Sequence, residues 1–380
     1  MSLQADFVVV GAGIAGASLA AEIAPHGSVV ILEAEAQPGY HSTGRSAAFW
    51  SESYGGPLVQ PLTSASGAFL RSPPSAFHGG TFLSARGAVH IADADGEAVL
   101  EAMRAEFLGS PVEMKMLVRG RLERVLPGLR PGWNLGLAEP SCADIDVAAL
   151  HAAYLKASKA SGAQLLTGCA LEGAERTPCG WRVATTRGEI TARAIVNAGG
   201  AWADAVAVRA GERPIGIQPY RRTIAQLRVS PPAPAELPLV IDARGRFYFK
   251  PEAGGRLWLS PHDETACDPC DTAPDEYDIA LAIDRLEQVV DWRVERVEHS
   301  WAGLRSFAPD RLPVYGFAKG CRDFFWFAGQ GGFGIQTAPA AARLAASLLL
   351  GRTPDPMVAA IDPAPYLAER DGLGISCPRR

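Results

Sequence analysis

The stretch VVVGAGIAGASLAAEIAPHGSVVILEAE, residues 8–35, decides the fold class of the chain. Three valines lead into Gly11, Gly13 and Gly16, which are spaced as GxGxxG. Small residues suited to a helix follow, and a second apolar run ends at Glu33. Because a β-branched run, a glycine turn, a helix and a second apolar run occur in this order, we predict a βαβ unit that binds a dinucleotide.

Each part of this unit has a physical role in such a site. Gly11 permits a tight turn, Gly13 lets the backbone approach a pyrophosphate, and Gly16 lets the helix pack against the strand. Residues 17–23 are suited to a helix, whose N-terminal amides and dipole favour phosphate groups, and we expect Ile14 and Ala15 to contact the cofactor.

Glu33 indicates which dinucleotides fit. It follows Gly11 by 22 residues, where a carboxylate accepts hydrogen bonds from an adenosine ribose, and Ala34 lies beside it. A generic glycine-rich turn does not explain this acid. A carboxylate also disfavours the 2′-phosphate of NADP, so this stretch alone leaves NAD and FAD open.

The composition fits a two-domain globular protein of 380 residues, with 48% hydrophobic and 20% charged residues. The net charge of −5 gives no electrostatic reason to expect a nucleic-acid partner. No run approaches the roughly 20 apolar residues of a transmembrane helix, and no signal-peptide pattern precedes the first strand. Seven irregularly spaced cysteines fit a reducing compartment, so we expect a cytoplasmic protein.

Cys267 and Cys270 form a CxxC pair within the polar stretch SPHDETACDPCDTAPDE. One such pair is too small for a four-ligand zinc site. We therefore interpret the stretch as a loop, with a redox or metal role as the alternative.

Three further stretches favour FAD over NAD. The segment QPGYHSTGRSAAFWSESYGG, residues 37–56, offers many small donors directly after the second strand, and its aromatic residues argue against a fully exposed loop. ARAIVNAGGAWAD, residues 192–204, and FFWFAGQGGFGIQTAPAAARLAASLLLG, residues 324–351, each predict a strand, a glycine turn and a helix. The predicted cofactor contacts of the first segment are Ser42, Thr43, Gly44, Ser46, Ala47 and Ala48.

Together, GAGIAG, NAGGAW and GQGGFGIQT resemble the D-amino-acid oxidase family of FAD enzymes, and stretches such as EAQPGYHSTGRSAA and WAGLRSF are similar to those of its D-arginine dehydrogenase branch. The resemblance implies FAD bound without a covalent link, because the attachment cysteine of the sarcosine-oxidase branch would align near Gly303. It also implies further cofactor contacts at Ala170, Ala198, Gly199, Trp202, Gly303, Gly331, Gly332, Phe333, Gly334, Ile335, Gln336 and Thr337.

The resemblance implies an α/β fold in which a Rossmann-type FAD/NAD(P)-binding domain is interleaved with a smaller α+β substrate domain built on an antiparallel sheet. The cofactor domain would comprise residues 1–83, 142–216 and 301–380. The substrate domain would comprise residues 84–141 and 217–300. The sequence itself predicts strands over 217–229 and 240–251, a hairpin partner in EAGGRLWLS, and an amphipathic helix over 274–290.

The reaction implied by the family is the oxidation of an amino acid at Cα, which requires a clamp for the substrate carboxylate. Arginine suits this role because its fork makes two parallel charge-assisted bonds. The resemblance places the substrate-facing arginine at Arg222, and Arg305 is a second candidate because it follows an apolar stretch in WAGLRSFAPD where a solvated arginine would be out of character. Surface ion pairs are the alternative for both. Arg221 should point to the opposite face, since side chains alternate along a strand.

Tyr54, Tyr248, Gly332 and Gln336 match family positions around the substrate and the flavin. Tyr54 precedes two glycines that would let its loop act as a lid. Core packing is the alternative for both tyrosines.

The chain departs from the D-arginine dehydrogenase pattern at two positions. Phe49 replaces a histidine, and Ala88 aligns with the glutamate that receives a guanidinium. With Trp50 and Ser51, these residues predict a more apolar pocket, in which a substrate guanidinium would lack a partner unless Glu52 compensated. We expect His90 to be structural. With no evident base, the substrate amine would lose its proton to solvent or through a water relay.

We therefore predict an FAD-dependent D-amino acid dehydrogenase or oxidase that favours neutral or apolar side chains and passes electrons to a quinone, a redox partner or oxygen. One alternative is a relative that acts on a secondary amine, such as an N-methyl amino acid, or on a 2-hydroxy acid. Another is a flavin-binding module without turnover.

Overall fold

A computed structural model describes residues 3–75, 77 and 79–374, and contains twenty strands and eight α-helices within them. The strands are β1 (Leu3–Val10), β2 (Val29–Leu32), β3 (Phe49–Trp50), β4 (Leu83–Ala85), β5 (Ala88–Asp93), β6 (Lys115–Val118), β7 (Trp133–Glu139), β8 (Ala143–Ile145), β9 (Gln164–Leu166), β10 (Leu171–Thr177), β11 (Gly180–Thr185), β12 (Gly188–Asn197), β13 (Gln218–Ser230), β14 (Leu239–Asp242), β15 (Tyr248–Glu252), β16 (Arg256–Ser260), β17 (Thr265–Ala266), β18 (Arg293–Phe307), β19 (Val314–Phe317) and β20 (Phe324–Ala328). The helices are α1 (Ile14–Ile23), α2 (Gln60–Arg71), α3 (Glu97–Glu106), α4 (Arg119–Val125), α5 (Val147–Ala160), α6 (Ala203–Arg209), α7 (Glu276–Val289) and α8 (Gly334–Leu350).

The first sheet contains five parallel strands in the order β20–β12–β1–β2–β9, which β10, β11 and β19 extend with antiparallel pairs. All four residues of β2 are buried, which is typical of a parallel strand covered on both faces. Helix α1 packs against α5 and α8 on one side. The predicted βαβ unit is therefore present, with α1 beginning at Ile14 within the sequence GAGIAGAS.

The glycine-rich turns meet at one edge of this sheet. Strands β1, β2, β12 and β20 run parallel and end at Val10, Leu32, Asn197 and Ala328. The turn after each strand therefore lies at the carboxyl edge, where open α/β sheets bind their ligands.

The second sheet contains nine strands, in the order β17–β13–β16–β15–β14–β5–β7–β6, with β18 paired to β13. The sheet is mainly antiparallel, as expected for the substrate domain, and its one parallel pair among the described strands is β14–β5. A pair joined by a long connection is free to run in either direction, whereas a hairpin pair is not. The region 240–251, which was predicted to be a strand, contains two strands, β14 and β15. They are separated by a turn at Gly245, whose φ is +69°.

Helix α7 covers this second sheet and lies within the predicted range of 274–290. It begins after Asp275, whose side chain accepts a hydrogen bond from the amide of Tyr277. Ile279, Leu286 and Val289 of this helix are buried against the sheet.

The strands of the two large sheets fall largely on the two sets of predicted domain ranges, except that β18 crosses the boundary at 301. The domain division stays a prediction, and residues 1–2, 76, 78 and 375–380 of those ranges lie outside the described part. A third, small sheet joins β3, β8 and β4. Of the helices described, none has the length and apolar character needed to cross a membrane.

Candidate active site

A cavity of about 420 Å³ lies along the carboxyl edge of the first sheet. The turn after β1 forms the floor of this cavity. At Gly11 in the turn and at Gly16 in α1, only glycine fits. A Cβ atom on Gly11, whose φ is +100°, would lie 2.5 Å from the oxygen of Ala198, and one on Gly16 would lie 1.8 Å from the oxygen of Gly11. The predicted cofactor residues that line this cavity are Gly11, Gly13, Ile14, Ala15, Glu33, Ala34, Ser42, Thr43, Ala170, Ala198, Gly199, Trp202 and Gly331.

Two backbone amides hold Glu33 at this cavity. Its Oε2 accepts from the amide of Ala12 at 2.9 Å, and its Oε1 accepts from the amide of Glu35 at 3.0 Å. Thr43 performs a similar role from the next loop, because its Oγ1 accepts from the amide of Ile14 at 3.0 Å. The loop after β2 is therefore tied to the start of α1.

A second cavity of about 90 Å³ continues the first and shares Ile14, Ser42, Thr43 and Gly331 with it. Gln330 also lines both cavities, and its buried Nε2 has no hydrogen-bond partner among the described residues. The predicted residues that line this second cavity are Ser46, Ala47, Gly303, Gly332, Gly334, Ile335, Arg222, Arg305 and Tyr248.

The two cavities fit the FAD that the sequence predicts. They form a channel that begins at a carboxylate suited to a ribose, passes the N-terminus of α1, and ends beside the first turn of α8. A long, polar cofactor would accept a hydrogen bond from the unpartnered Nε2 of Gln330, and its backbone-close part would fit against the tight turn at Gly11. Within the described ranges, no group of three His, Cys, Asp or Glu side chains is arranged to hold a metal ion.

Six predicted cofactor residues line neither cavity. The amide of Gly44 donates to the oxygen of Gly39 and closes the loop, while Phe333 packs against Val59 and Phe307. These six are Gly16, Gly44, Ala48, Phe333, Gln336 and Thr337.

Gln336 instead ties helix α8 to the loop that carries Tyr54. Its Oε1 accepts from the amide of Ser51 at 3.0 Å, and its Nε2 donates to the oxygen of Tyr54 at 3.2 Å and to Oγ1 of Thr63 at 3.0 Å. With its amide group fully engaged, Gln336 positions the loop and does not face the cavity.

Two neighbouring strands bring Arg222 and Arg305 together. In the β13–β18 pair, Arg222 lies opposite Gly303 and Tyr220 lies opposite Arg305, so the two arginines are diagonal neighbours on one face. As expected from strand alternation, Arg221 points elsewhere, and its Nη2 lies 2.7 Å from Oδ2 of Asp278.

The guanidinium of Arg222 is buried, with 4% of its surface exposed, but only partly paired. Nε donates to the oxygen of Asp263 at 2.8 Å and Nη2 to Oε1 of Glu264 at 3.0 Å, whereas Nη1 has no partner among the described residues. Burial first, and then the charge of Arg305, lower the pKa of Arg222. One donor of the fork is therefore available to an anion.

Arg305 completes a positively charged corner. Its Nη1 donates to the Tyr54 hydroxyl at 2.6 Å, and no carboxylate of the described residues lies within 4.0 Å of its guanidinium. A Cβ atom on Gly332 would lie 2.0 Å from the same hydroxyl. The hydroxyl of Tyr248 is buried and unpartnered beside them. The two arginines, one of them paired with Glu264, and the two tyrosine hydroxyls together suit the binding of one substrate carboxylate.

The loop that carries Tyr54 is held by a buried acid that the sequence analysis missed. At the end of β7, Glu139 accepts from the amide of Glu52 at 2.6 Å, from Oγ of Ser51 at 2.9 Å and from Oγ of Ser53 at 2.5 Å. Burial raises the pKa of Glu139, against the lowering effect of the two hydroxyls and the amide. Sequence gave no signal for this contact, because Glu139 lies more than 80 residues from the loop.

A third cavity of about 280 Å³ lies beyond the arginines and shares Arg305 and Tyr248 with the second. Phe49, Ser51 and Tyr54 line it, as predicted for a substrate pocket. Glu52 does not line it, since its carboxylate accepts from Ser64 and Ser141. The lining residues that the sequence analysis did not assign to this pocket include His90, Met103, Glu106, Phe107, Ile241 and His262.

Two predicted pocket residues lie elsewhere. Trp50 follows Phe49 in β3 and so takes the opposite face, where its Nε1 donates to the oxygen of Thr63 at 2.9 Å. Ala88 packs with Cys142 and Leu239 in a small apolar cluster, and His90, two residues along the same strand, lines the cavity instead.

Cys267 and Cys270 lie in a loop that contains the short strand β17. Both are free thiols, and Cys270 is exposed. Neither lines the three cavities described above.

Comparison with known proteins agrees with this arrangement. The profile of the DAO family, described as FAD dependent oxidoreductase, matches residues 6–348. A glycine oxidase of Pseudomonas aeruginosa is 33% identical over 187 residues, 48% of this chain and 48% of that protein, so the match spans about half the length of that relative.

Two solved structures share the fold. The glycine oxidase from Geobacillus kaustophilus has a TM-score of 0.84 at 24% identity, over 97% of this chain and 99% of that chain. The L-amino acid deaminase from Proteus vulgaris has a TM-score of 0.78 at 23% identity, over 97% and 94%. Among these relatives are glycine oxidases, and not the D-arginine dehydrogenases that the motifs resemble. The comparisons support the family and not that branch.

Proposed function

The chain belongs to the DAO family of FAD-dependent oxidoreductases, and from this membership we propose that it oxidises D-amino acids with neutral or apolar side chains at Cα. The observation that carries the proposal is the half-paired Arg222 beside Arg305, at the junction of the cofactor channel and the third cavity. A substrate carboxylate bound there would have its Cα between the two spaces.

The residues of the chain bind and orient the substrate. Arg222 and Arg305 neutralise its carboxylate, and the hydroxyls of Tyr54 and Tyr248 donate to the same group. Residues from Gly11 to Gly334 along the channel would hold FAD, which when bound supplies the acceptor for the hydride that leaves Cα. The amine loses a proton, the resulting imino acid takes up water, and a 2-oxo acid and ammonia are released.

The proton of the amine leaves to solvent. His90 and His262 are the histidines of the third cavity, and burial lowers the pKa of His90 to about 4 and, with the charges of Arg222 and Arg305, that of His262 to about 3. Such weak bases do not suit proton abstraction near neutral pH. The electrons pass on to a quinone, a redox partner or oxygen.

A second candidate is a small or secondary amine as substrate, and the glycine oxidases among the relatives favour the small one. A glycine oxidase is named for a substrate without a side chain, and an L-amino acid deaminase for one of the opposite hand. The third cavity, at about 280 Å³, favours a substrate that has a side chain. A 2-hydroxy acid carries the same carboxylate and is distinguished by the same experiment.

Turnover of a substrate panel with an artificial electron acceptor tests the proposal. D-amino acids, their L-enantiomers, glycine, N-methyl amino acids and 2-hydroxy acids are compared by kcat/KM, and ammonia and 2-oxo acid are measured as products. We expect D-amino acids with side chains to have the highest values. Faster turnover of glycine, a secondary amine, a 2-hydroxy acid or the L-series would contradict the proposal, as would a flavoprotein that none of them reduces.

A further inference from the structure

The third cavity is built from both apolar and polar side chains. Phe49, Phe107 and Ile241 supply apolar walls, whereas His90 and His262 supply ring nitrogens. The cavity volume of about 280 Å³ is several times the roughly 30 Å³ that one water molecule occupies in the liquid. Because a methyl group is similar in size to a water molecule, a methyl side chain would not fill this cavity. The polar groups in this wall therefore bear on which side chain enters.

His90 turns a ring without hydrogen-bond partners among the described residues toward the cavity. Its neighbours in β5, Val89 and Ile91, pack into the apolar core of the second sheet, and strand alternation turns His90 to the cavity. The residue is 7% exposed, and neither ring nitrogen has a partner among the described residues. A buried polar group left unsatisfied costs about 1–3 kcal/mol, so such groups call for a ligand or another explanation.

His262 reaches the same cavity from the loop after β16. Its buried Nδ1 has no partner in the described structure, and its ring lies edge-on to Tyr248 at 5.5 Å between centroids. Its φ of +56° is in the left-handed region, which is uncommon for a residue other than glycine. Backbone strain of this kind clusters at functional sites, where it aims a side chain.

Apart from Arg305, which the proposed function assigns to the substrate carboxylate, the interior of the cavity offers hydrogen bonds and no free charge. The lowered pKa values of both histidines leave them neutral near pH 7, each with one donor and one acceptor. Asp242 is held by Arg246 through two contacts of 2.8 Å, and Glu106 is exposed at the rim. With Arg305 occupied by the substrate carboxylate, a second carboxylate or an ammonium group on the side chain would be buried without a counter-ion.

We propose that the third cavity selects an uncharged, hydrogen-bonding side chain, such as the carboxamide of D-asparagine or D-glutamine, which His90 and His262 bind. This inference rests on the proposed function. A carboxamide offers a donor and an acceptor to two neutral imidazoles, and its carbon stem lies along Phe49 and Ile241.

Near-isosteric substrate pairs test the proposal without any mutation. We expect kcat/KM for D-asparagine to exceed kcat/KM for D-leucine by about 10-fold or more, and we expect the same excess of D-glutamine over D-methionine. The reason is that the apolar substrate of each pair leaves the imidazoles unpaired. D-glutamate and D-lysine should also fall below D-glutamine. Equal or inverted ratios, with D-leucine turned over, would overturn the inference and leave the proposed function intact. No turnover of any D-amino acid would instead remove the proposed function, and the inference with it.

The variant His90→Leu then assigns the selectivity to the histidine. It should shift the asparagine-to-leucine ratio toward leucine by about 10-fold to 100-fold, and the melting temperature should not fall, because two unpaired buried nitrogens are removed. His262→Asn, which tolerates the left-handed backbone, should shift the ratio in the same direction. His26→Leu, on the exposed turn after α1, is the matched control and should leave the ratio unchanged. A fall in melting temperature for His90→Leu with no change in the ratio would show a structural histidine and overturn the proposal.

Discussion

At the scale of single residues, the space beside Gly332 is already taken by the groups that would hold a substrate carboxylate. A Cβ atom there would lie 2.0 Å from the Tyr54 hydroxyl and 2.9 Å from Nη1 of Arg305. Replacement of Gly332 by any other residue must therefore displace these two groups from their present positions.

We predict that Gly332→Ala lowers kcat/KM by about 10-fold or more, since the 2.6 Å bond between Arg305 and Tyr54 is displaced. Steady-state kinetics measures the change. The matched control is Gly120→Ala, at an exposed position of α4 where a Cβ atom meets nothing within 4 Å. A Gly332→Ala enzyme with unchanged kinetics would remove this corner from the substrate site.

The arginine clamp is tested by Arg222→Lys, which keeps the charge and removes the fork. A lysine cannot make two parallel hydrogen bonds to the substrate carboxylate. We therefore expect KM for the substrate to rise by about 10-fold to 100-fold, which corresponds to the loss of one or two charge-assisted hydrogen bonds. Arg221→Lys, on the same strand and the opposite face, should change KM by less than about threefold. Equal effects of the two substitutions would argue for a general effect on the strand.

The residues that were wrongly predicted to line the pocket show that the sequence alone does not specify which side chains face a cavity. The two predicted pocket neighbours Phe49 and Trp50 were assigned to one surface, but consecutive strand residues take opposite faces. Ala88 and His90 share a face, and only the packing of the sheet decides which of them meets the cavity. The glycines were predictable because their constraint is local.

At the scale of elements, the loop of residues 51–56 is fastened to helix α8 and to strand β7 by a few polar side chains. Gln336 holds it from α8, and Glu139 holds it from β7. These partners come from parts of the chain more than 80 residues away, so no local pattern predicted them. The βαβ unit, by contrast, was predicted from 28 consecutive residues, because strand, turn and helix are neighbours in sequence.

Burial of Glu139 gives the loop a pH-dependent stability. Because the pKa of this carboxyl is raised in the folded protein, the folded state binds its proton more tightly than the unfolded state does. The contribution of Glu139 to the free energy of unfolding therefore falls as the pH rises from the ordinary carboxyl range through the raised pKa.

We predict that Glu139→Gln, which cannot ionise, becomes progressively more stable relative to the parent protein over that pH range. Melting temperatures of both proteins across the series measure the difference. Glu123→Gln, which removes an exposed partner of Arg119, is the control and should show no such rise. A difference for Glu139→Gln that is constant with pH would mean that the carboxyl is not held as the contacts indicate.

At the scale of the whole molecule, the cofactor channel lies where the two large sheets meet. Its walls come from the turns of the first sheet and from β13 and β18 of the second. A ligand that fills this channel therefore touches residues from nearly the full length of the chain, and its binding is linked to folding.

We predict that FAD raises the melting temperature of protein from which it has been removed. At a free concentration of 100 times Kd, binding to the folded state alone adds about 2.7 kcal/mol to the free energy of unfolding. NADP is the matched comparison and should add much less, because Glu33 repels a 2′-phosphate. Equal stabilisation by both would contradict the assignment of the channel.

The most direct test of the proposed chemistry is anaerobic mixing of the FAD-loaded protein with the D- and L-enantiomers of alanine, leucine and asparagine. We expect the yellow flavin absorbance to bleach with the D-enantiomers, at least about 10-fold faster than with their L-counterparts, and 2-oxo acid to form in equal amount to the reduced flavin. Bleaching by the L-series alone, or by none of the six, would contradict a D-amino acid oxidoreductase.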